Sequence, residues 1–500
     1  MDSGIARLLA RFPVEPATVS FLLRQPVMFI DGEFVAGAGE LIPVYEPSTE
    51  GKLTSICQAL PAEVDAAVKA ARTAADDPRW RDMKPNERQR LLLRIADLLE
   101  EEATTVAQIE TLDTGKALSP CLSFDVMGSV DLLRYMAALS AGGEGEVRRL
   151  SAPGSFLGFT LREPVGVVAC IVPWNFPLNT AIWKVAAPLA AGCSVVIKPD
   201  EHTSLSVLYF ADICRRAGLP RGALNVVTGN GARIGPQLVK HPGVNRVTFT
   251  GSTMTGGCVG ADAGAVLTPV TLELGGKSPM LVFADADIGA LAAATRQSVF
   301  FNTGQVCSAG SRIYADRRIM SEVIAAVAEV ATSLRLGPGL DPATEMGPVA
   351  SSAHQYRVRG FIERAQRQGA RIITGARAPE GPGWYVEPTI LVPQAQSDEC
   401  VQQEIFGPVV TVMPFDDPEE AVRLANDCQY ALAASVWTRD LNRALGLIRR
   451  VQAGTVWVNT HDVTDSAMPF GGFKASGFGK DLGREQFDDC FNTKAVMIAQ

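Results

Sequence analysis

Apolar and polar positions along this chain follow two different periods. Residues 62–75 and 86–109 place apolar side chains three and four apart, with charges on the other side, which predicts two amphipathic helices. Residues 167–172 form an unbroken apolar run with β-branched members, as in a parallel strand buried on both faces. Runs 194–197 and 224–227 read the same way, with a helix predicted over 204–217 between them. Residues 246–250 make a further short strand, which ends in Gly251-Ser252-Thr253-Met254-Thr255-Gly256 ahead of another helix. This succession is the βαβ pattern of a dinucleotide-binding sheet and predicts a layered α/β fold. A second α/β stretch is expected from about 276 to 455. The segment 487–498 reads as a strand, with the alternating segment 147–161 as its hairpin counterpart.

Composition narrows the class. With 500 residues, 47% hydrophobic and 20% charged, the chain can bury a core that needs no disulfide or metal staple. A net charge of −8 without a cluster of Lys and Arg argues against a nucleic-acid partner. The most apolar stretch, 167–197, is broken by Pro173, Asn175, Pro177, Lys184 and Pro188. A membrane span needs roughly 20 unbroken apolar residues, so buried core is expected here and no membrane partner. The amino terminus, Met1-Asp2-Ser3-Gly4, is acidic and does not read as a secretory signal. Ten cysteines show no C-x-x-C or metal-ligand spacing, and the four histidines are far apart. Reduced thiols in a cytoplasm, and no metal, are the expectation.

The candidate chemistry centres on Cys307, in Phe300-Phe301-Asn302-Thr303-Gly304-Gln305-Val306-Cys307-Ser308, and on Glu273, in Thr271-Leu272-Glu273-Leu274-Gly275-Gly276-Lys277-Ser278-Pro279. A cysteine is usually a small buried hydrophobe, and the other nine are read that way. Cys307 differs because it follows Gly304 in a small-residue loop that a ligand can approach. A thiol is only a few per cent ionised at neutral pH, so the site must activate it. Glu273, flanked by apolar Leu272 and Leu274, should have a raised pKa that suits a general base. Pro173-Trp174-Asn175-Phe176-Pro177 is on its own a rigid turn. Beside the two other motifs, it becomes a candidate for presenting the Asn175 amide to an oxyanion. Lys198 and Glu201, at a strand's carboxyl end, are either a solvated turn or a grip on ribose hydroxyls; an acidic group there favours NAD over NADP. Gly229-Asn230-Gly231 is a loose glycine loop and weak by itself, whereas 251–256 is better placed to hold a pyrophosphate at a helix N-terminus. Gly276-Lys277-Ser278 lacks the earlier glycine of a phosphate-binding loop, so an ATPase is rejected.

Together these motifs, with Glu404-Ile405-Phe406-Gly407-Pro408 and Pro469-Phe470-Gly471-Gly472, resemble the NAD(P)-dependent aldehyde dehydrogenase superfamily over nearly the whole chain. The resemblance implies a Rossmann-like cofactor domain (1–146 and 164–275), an α/β catalytic domain (276–483) and a β-hairpin oligomerisation arm (147–163 and 484–500) of a homodimer or homotetramer. It implies that Cys307 attacks an aldehyde, that Asn175 and the Cys307 N–H hold the oxyanion, that hydride passes to the nicotinamide, and that Glu273 activates water to release the acid. Lys184 resembles a lysine that assists Glu273, although Asp481 stands where its partner is usually a glutamate; a plain salt bridge is the equal alternative. The cofactor positions implied are Ile171, Val172, Pro173, Trp174, Lys198, Glu201, Gly231, Phe249, Gly251, Ser252, Leu274, Glu404 and Phe406. The pocket positions are Phe124, Gly128, Phe176, Thr180, Trp183, Val306, Ser308, Thr464 and Phe470. Small groups at 128, 180 and 464 inside aromatic walls suit an aryl aldehyde or, through cation–π contact, a cationic one. Val458-Asn459-Thr460-His461-Asp462 and Ala467-Met468-Pro469-Phe470 are similar to bacterial phenylacetaldehyde-type enzymes. Betaine or ω-amino aldehyde oxidation, and a catalytically silent homologue, remain alternatives.

Overall fold

A computed structural model describes residues 3–25, 27–142 and 145–500. The first two residues of the amino-terminal segment, and 143–144 ahead of the 147–161 segment, lie outside it. Five parallel strands form the heart of an eight-stranded sheet, in the spatial order Leu224–Val226, Ser194–Lys198, Val167–Ile171, Arg246–Thr250, Val270–Glu273. Antiparallel strands close both edges: Val27–Ile30 and Glu33–Ala36 on one side, Gly477–Phe478 on the other. The unbroken apolar run at 167 has the expected cause. Val168 and Cys170 pack into one core, and Val167, Ala169 and Ile171 into another across the sheet. Strand order reverses between the strands Val167–Ile171 and Arg246–Thr250. Ligands bind at the carboxyl ends beside such a reversal.

The second stretch is a seven-stranded sheet whose strands Thr389–Val392, Val409–Phe415, Arg312–Asp316, Pro279–Val282, Ala433–Trp437 and Thr455–Val458 run parallel, with Arg371–Thr374 antiparallel at one edge. The terminal strand is observed at Phe491–Ala499, paired along its length with Phe156–Pro164, which in turn pairs with Val147–Arg148. Among the described residues no helix is long and apolar enough to cross a membrane.

Several boundaries differ from expectation. The helix predicted over 86–109 is two helices, Pro85–Glu101 and Ala103–Thr114. Glu102 between them leaves helical geometry, and its carboxylate is held by Tyr209 Oη at 2.7 Å and by Arg216. That tether comes from the helix Leu205–Ala217 and cannot be read from local periodicity. The helix after Arg246–Thr250 starts inside the glycine motif, at Thr253, with Ser252 as its cap. Cys258 on that helix is exposed, not a buried hydrophobe, because it lies on the helix's outer face.

Candidate active site

The carboxyl ends of the first sheet and the loop before strand Arg312–Asp316 meet around a cavity of about 580 Å³. Cys307 lines it, with Asn175, Glu273, Glu404 and Phe406. The thiol is placed by an unusual backbone. Asn302 (φ 46°), Thr303 (φ 57°) and Gly304 (φ 70°) are three consecutive left-handed residues. For Asn and Thr this costs on the order of 1–3 kcal/mol each, and tertiary contacts hold it. Asn302 Nδ2 donates to the Asn175 carbonyl at 2.8 Å, Thr303 Oγ1 to the Gly347 carbonyl at 2.9 Å, and Ala350 N–H to Gln305 Oε1 at 2.9 Å. Gly304 is needed for protein, not ligand: a Cβ there would lie 2.1 Å from the Gly407 carbonyl oxygen. The expectation that it lets a ligand approach is corrected accordingly.

Asn175 Nδ2 spends one hydrogen on the Gln305 carbonyl at 2.9 Å; its second remains for an oxyanion. Burial, followed by the charges of Asp462, Glu404 and Glu273, pushes the Cys307 thiol well above its ordinary pKa, while the Ser308 N–H acts the other way. The resting group is therefore a thiol. Glu273 is 4% exposed, and neither carboxylate oxygen has a hydrogen-bond partner among the described residues. Burial and then Asp481 raise its pKa far above the carboxylate range, opposed by Lys184 and Lys480. Gly471 makes room for it, since a Cβ there would sit 2.3 Å from Glu273 Oε1. Lys184 does not line the cavity. It lies behind Asp481, 2.6 Å from Oδ2, in a close pair that is badly aligned for a hydrogen bond.

Pro173, Trp174, Gly251, Ser252 and Leu274 also line the cavity, just past the strands Val167–Ile171, Arg246–Thr250 and Val270–Glu273. Gly251 packs on Phe249: a Cβ would meet that ring at 2.5 Å. Ser252 Oγ accepts from Thr255 N at 3.2 Å, so the first turn of the helix Thr253–Ala265 faces the cavity edge with further N–H groups for an anion. Ile171 and Val172 are buried just before Pro173. Lys198, Glu201 and Gly231 stand apart from the cavity as one cluster. Lys198 Nζ is 3.0 Å from Glu201 Oε2, and Glu201 also accepts from Asn230 Nδ2 at 2.7 Å and Gly231 N–H at 3.3 Å. The solvated-turn alternative fails here, because Lys198 is buried and Glu201 is held by three donors.

Glu404 accepts from Gly276 N–H at 2.8 Å, and burial pushes its pKa up to about 7. A Cβ at Gly275 would fall 2.3 Å from Glu404 Oε2. Phe406 takes φ 61°. His354 Nε2 donates to its carbonyl at 2.6 Å, and Arg357 Nη2 to the Glu404 carbonyl at 2.6 Å. Burial lowers the His354 pKa to about 4, so the ring is neutral and this nitrogen carries the proton. Trp174 packs edge-on to His354 at 4.9 Å and to Phe406 at 5.4 Å.

The pocket positions Phe124, Phe176, Thr180, Trp183, Val306, Ser308, Thr464 and Phe470 all line the same cavity. Gly128 lines a neighbouring one of about 560 Å³ that shares Phe124, Trp183, Asp462 and Thr464. Phe124, Phe176 and Phe301 form a ring cluster with centroids 5.4–6.1 Å apart, and Trp183 meets Phe470 at 5.4 Å. Sequence reasoning missed Phe301, His354, Arg357 and Asp462. Phe301 and Asp462 lay inside quoted motifs and could have been found; a lone histidine and arginine on the helix Ser352–Arg367 gave no signal. Asp462 accepts from Ser308 Oγ, and burial pushes its pKa up to about 6.

A family model described as the aldehyde dehydrogenase family matches residues 34–496. A phenylacetaldehyde dehydrogenase of Pseudomonas fluorescens is 43% identical over 479 residues, covering 94% of this chain and 95% of that protein. An NAD⁺ complex of an aldehyde dehydrogenase from Bacillus cereus superposes with a TM-score of 0.96 at 40% identity, over 98% of this chain and 99% of that one. An indole-3-acetaldehyde dehydrogenase of P. syringae, a cysteine variant in complex with NAD⁺ and IAA, gives 0.93 at 38% identity, over 97% and 99%.

Proposed function

The chain belongs to the aldehyde dehydrogenase family, whose members are oxidoreductases, and on that premise we propose that it oxidises an arylalkyl aldehyde such as phenylacetaldehyde to the carboxylic acid with NAD. The observation that carries the substrate class is the aromatic enclosure beside Cys307: Phe124, Phe176, Phe301, Trp183 and Phe470 meet in edge, tilted and stacked pairs. Such walls take a ring by offset or edge contact. The relatives named for phenylacetaldehyde and indole-3-acetaldehyde support the reading.

The residues fit a dinucleotide. The helix N-terminus at Ser252 would take the pyrophosphate, Lys198 and Glu201 the adenosine ribose, and Glu404 the nicotinamide ribose, with Phe406 and Trp174 along the path. Bound there, NAD supplies the hydride acceptor; the carboxylate of Glu201 disfavours a 2′-phosphate, and with it NADP. Glu273, with its raised pKa, takes the Cys307 proton, and the sulfur bonds to the aldehyde carbon. The Asn175 amide and the Cys307 N–H hold the oxyanion. Once hydride has left the carbon, a thioester remains on Cys307. Glu273 passes that first proton to solvent and, deprotonated again, draws a proton from water, whose oxygen attacks the thioester carbon; the sulfur leaves as a thiolate, Glu273 returns the proton to it, and the acid is released. Lys184 and Asp481 act through Glu273, by setting its charge.

We assign residues 1–146 and 164–275 to the cofactor domain, 276–483 to the catalytic domain, and 147–163 with 484–500 to an arm for self-association. A second substrate reading has its own observation: Asp462 faces both cavities, and Asp131 and Asp465 line the outer one, which would favour a cationic ω-amino or betaine aldehyde. The test is NAD reduction with phenylacetaldehyde, benzaldehyde, betaine aldehyde and a medium-chain aliphatic aldehyde, repeated with NADP. The account expects the highest kcat/KM for an aryl aldehyde with NAD. Betaine aldehyde in first place would give the site to the carboxylates, and no reaction with any would leave the silent homologue.

A further inference from the structure

Behind the aromatic enclosure lies a set of charges that the proposed chemistry does not use. Glu110, Lys116 and Asp125 are at most 2% exposed. Lys116 Nζ stands 2.8 Å from Asp125 Oδ2, 3.7 Å from Glu110 Oε1 and 4.1 Å from the centre of the Phe176 ring. Each partner belongs to a different part of the site. Asp125 sits in the π-helical turn Cys121–Val126, which also carries Phe124 into the cavity. Such turns recur at functional sites. Glu110 Oε2 accepts from Leu178 N–H at 3.2 Å, at the start of the helix Pro177–Ala191. Phe176 occupies the cap position of that helix and has no side chain able to cap it, so Glu110 fills the role from another helix.

We propose that Lys116 is a positioning residue for substrate selection: its ammonium clamps one face of the Phe176 ring and locks that wall against the π-helical turn. The contact is a desolvated cation–π pair, the strong form of that interaction. Burial pushes Asp125 up to about 8 and raises Glu110, while Lys116 is held above its ordinary value by Asp125, Cys121 and Glu110 against its own burial. The ammonium therefore persists. A buried ion pair is weak support for stability, since apolar replacements of the whole pair are often as stable. What the charges fix here is the orientation of the wall.

The inference rests on Phe176 being a substrate wall, and the test separates that reading from the clamp. Lys116→Met should raise KM for phenylacetaldehyde about tenfold and leave KM and kcat for acetaldehyde within about twofold, since a methyl group does not reach the wall. Phe176→Leu should likewise raise KM for phenylacetaldehyde, and Lys116→Met in that background should raise it no further, because the ring it acts through is gone. If Lys116→Met fails to fold, Lys116→Met/Asp125→Leu removes the pair together and should show the same split. Equal losses on both aldehydes, or fully additive effects of the two substitutions, would overturn the clamp. If the wild type prefers a non-aryl aldehyde, the substrate proposal fails but the clamp does not; the Lys116–Phe176 coupling is then measured on the preferred substrate.

Discussion

A nucleophilic cysteine surrounded by Asp462, Glu404 and Glu273 is held as a thiol until something removes its proton, because each carboxylate opposes the thiolate. The same low-dielectric setting makes Glu273 basic enough to do it. After burial, the charge of Asp481 raises its pKa further, and Lys184 opposes that rise. The sign of each variant follows. Glu273 works deprotonated, so activity is present above its pKa and lost as pH falls through it. Asp481→Asn removes a raising charge and leaves Lys184 unneutralised, so the acid limb of the kcat–pH profile should move to lower pH. Lys184→Met should move it to higher pH. A profile that stays in place in both would reduce the pair to structural support. At this scale Cys307, Glu273 and Asn175 were legible because their motifs carry chemistry in a fixed local order. His354, Arg357 and Lys116 were not, since each acts on a residue far away in sequence: His354 on Phe406, Arg357 on Glu404, Lys116 on Phe176.

The elements of the first sheet do most of the assembling. Four strand ends deliver Pro173–Asn175, Lys198, Gly251–Ser252 and Glu273 to one edge. These strands were readable from their apolar runs, and a buried parallel strand has little other way to look. The split at Glu102 and the left-handed turn at Asn302–Gly304 were not readable, because tertiary bonds from Arg216 and Tyr209, and from Gly347, Ala350 and Asn175, override local preference. The terminal strand was legible as a strand and shifted by a few residues. It makes a fully registered ladder with Phe156–Pro164, and it leaves Met497 and Ile498 exposed, with Val147 across the same sheet 79% exposed. Apolar side chains on a three-stranded sheet with an open face are suited to burial against another copy. Deleting residues 493–500 should lower the mass of the sedimenting species while a folded chain remains. An unchanged sedimentation profile would remove the arm from the account of self-association.

At the largest scale, two large sheets bring a thiol and a carboxylate to one cavity, whose lining also holds the start of a helix at Thr253 and an aromatic enclosure. The α/β class was legible from element order, whereas Phe124, Thr180, Trp183 and Thr464 lie outside the chemical motifs and came only from their position under the family resemblance. How the two cavities join at Asp462 required the folded chain. The central claim is a covalent cycle in which Cys307 carries the acyl group and Glu273 admits water. The most direct measurement is peptide mass spectrometry on Glu273→Gln after mixing with NAD and phenylacetaldehyde. Loss of the general base should slow release of the acid about 10²–10⁴-fold. Because Glu273 also takes the Cys307 proton, acylation should slow as well: the prediction is slow formation of up to one equivalent of NADH, without a burst, and a phenylacetyl group retained on the peptide containing Cys307. NADH formed without an adduct, or an adduct on any other residue, would contradict it.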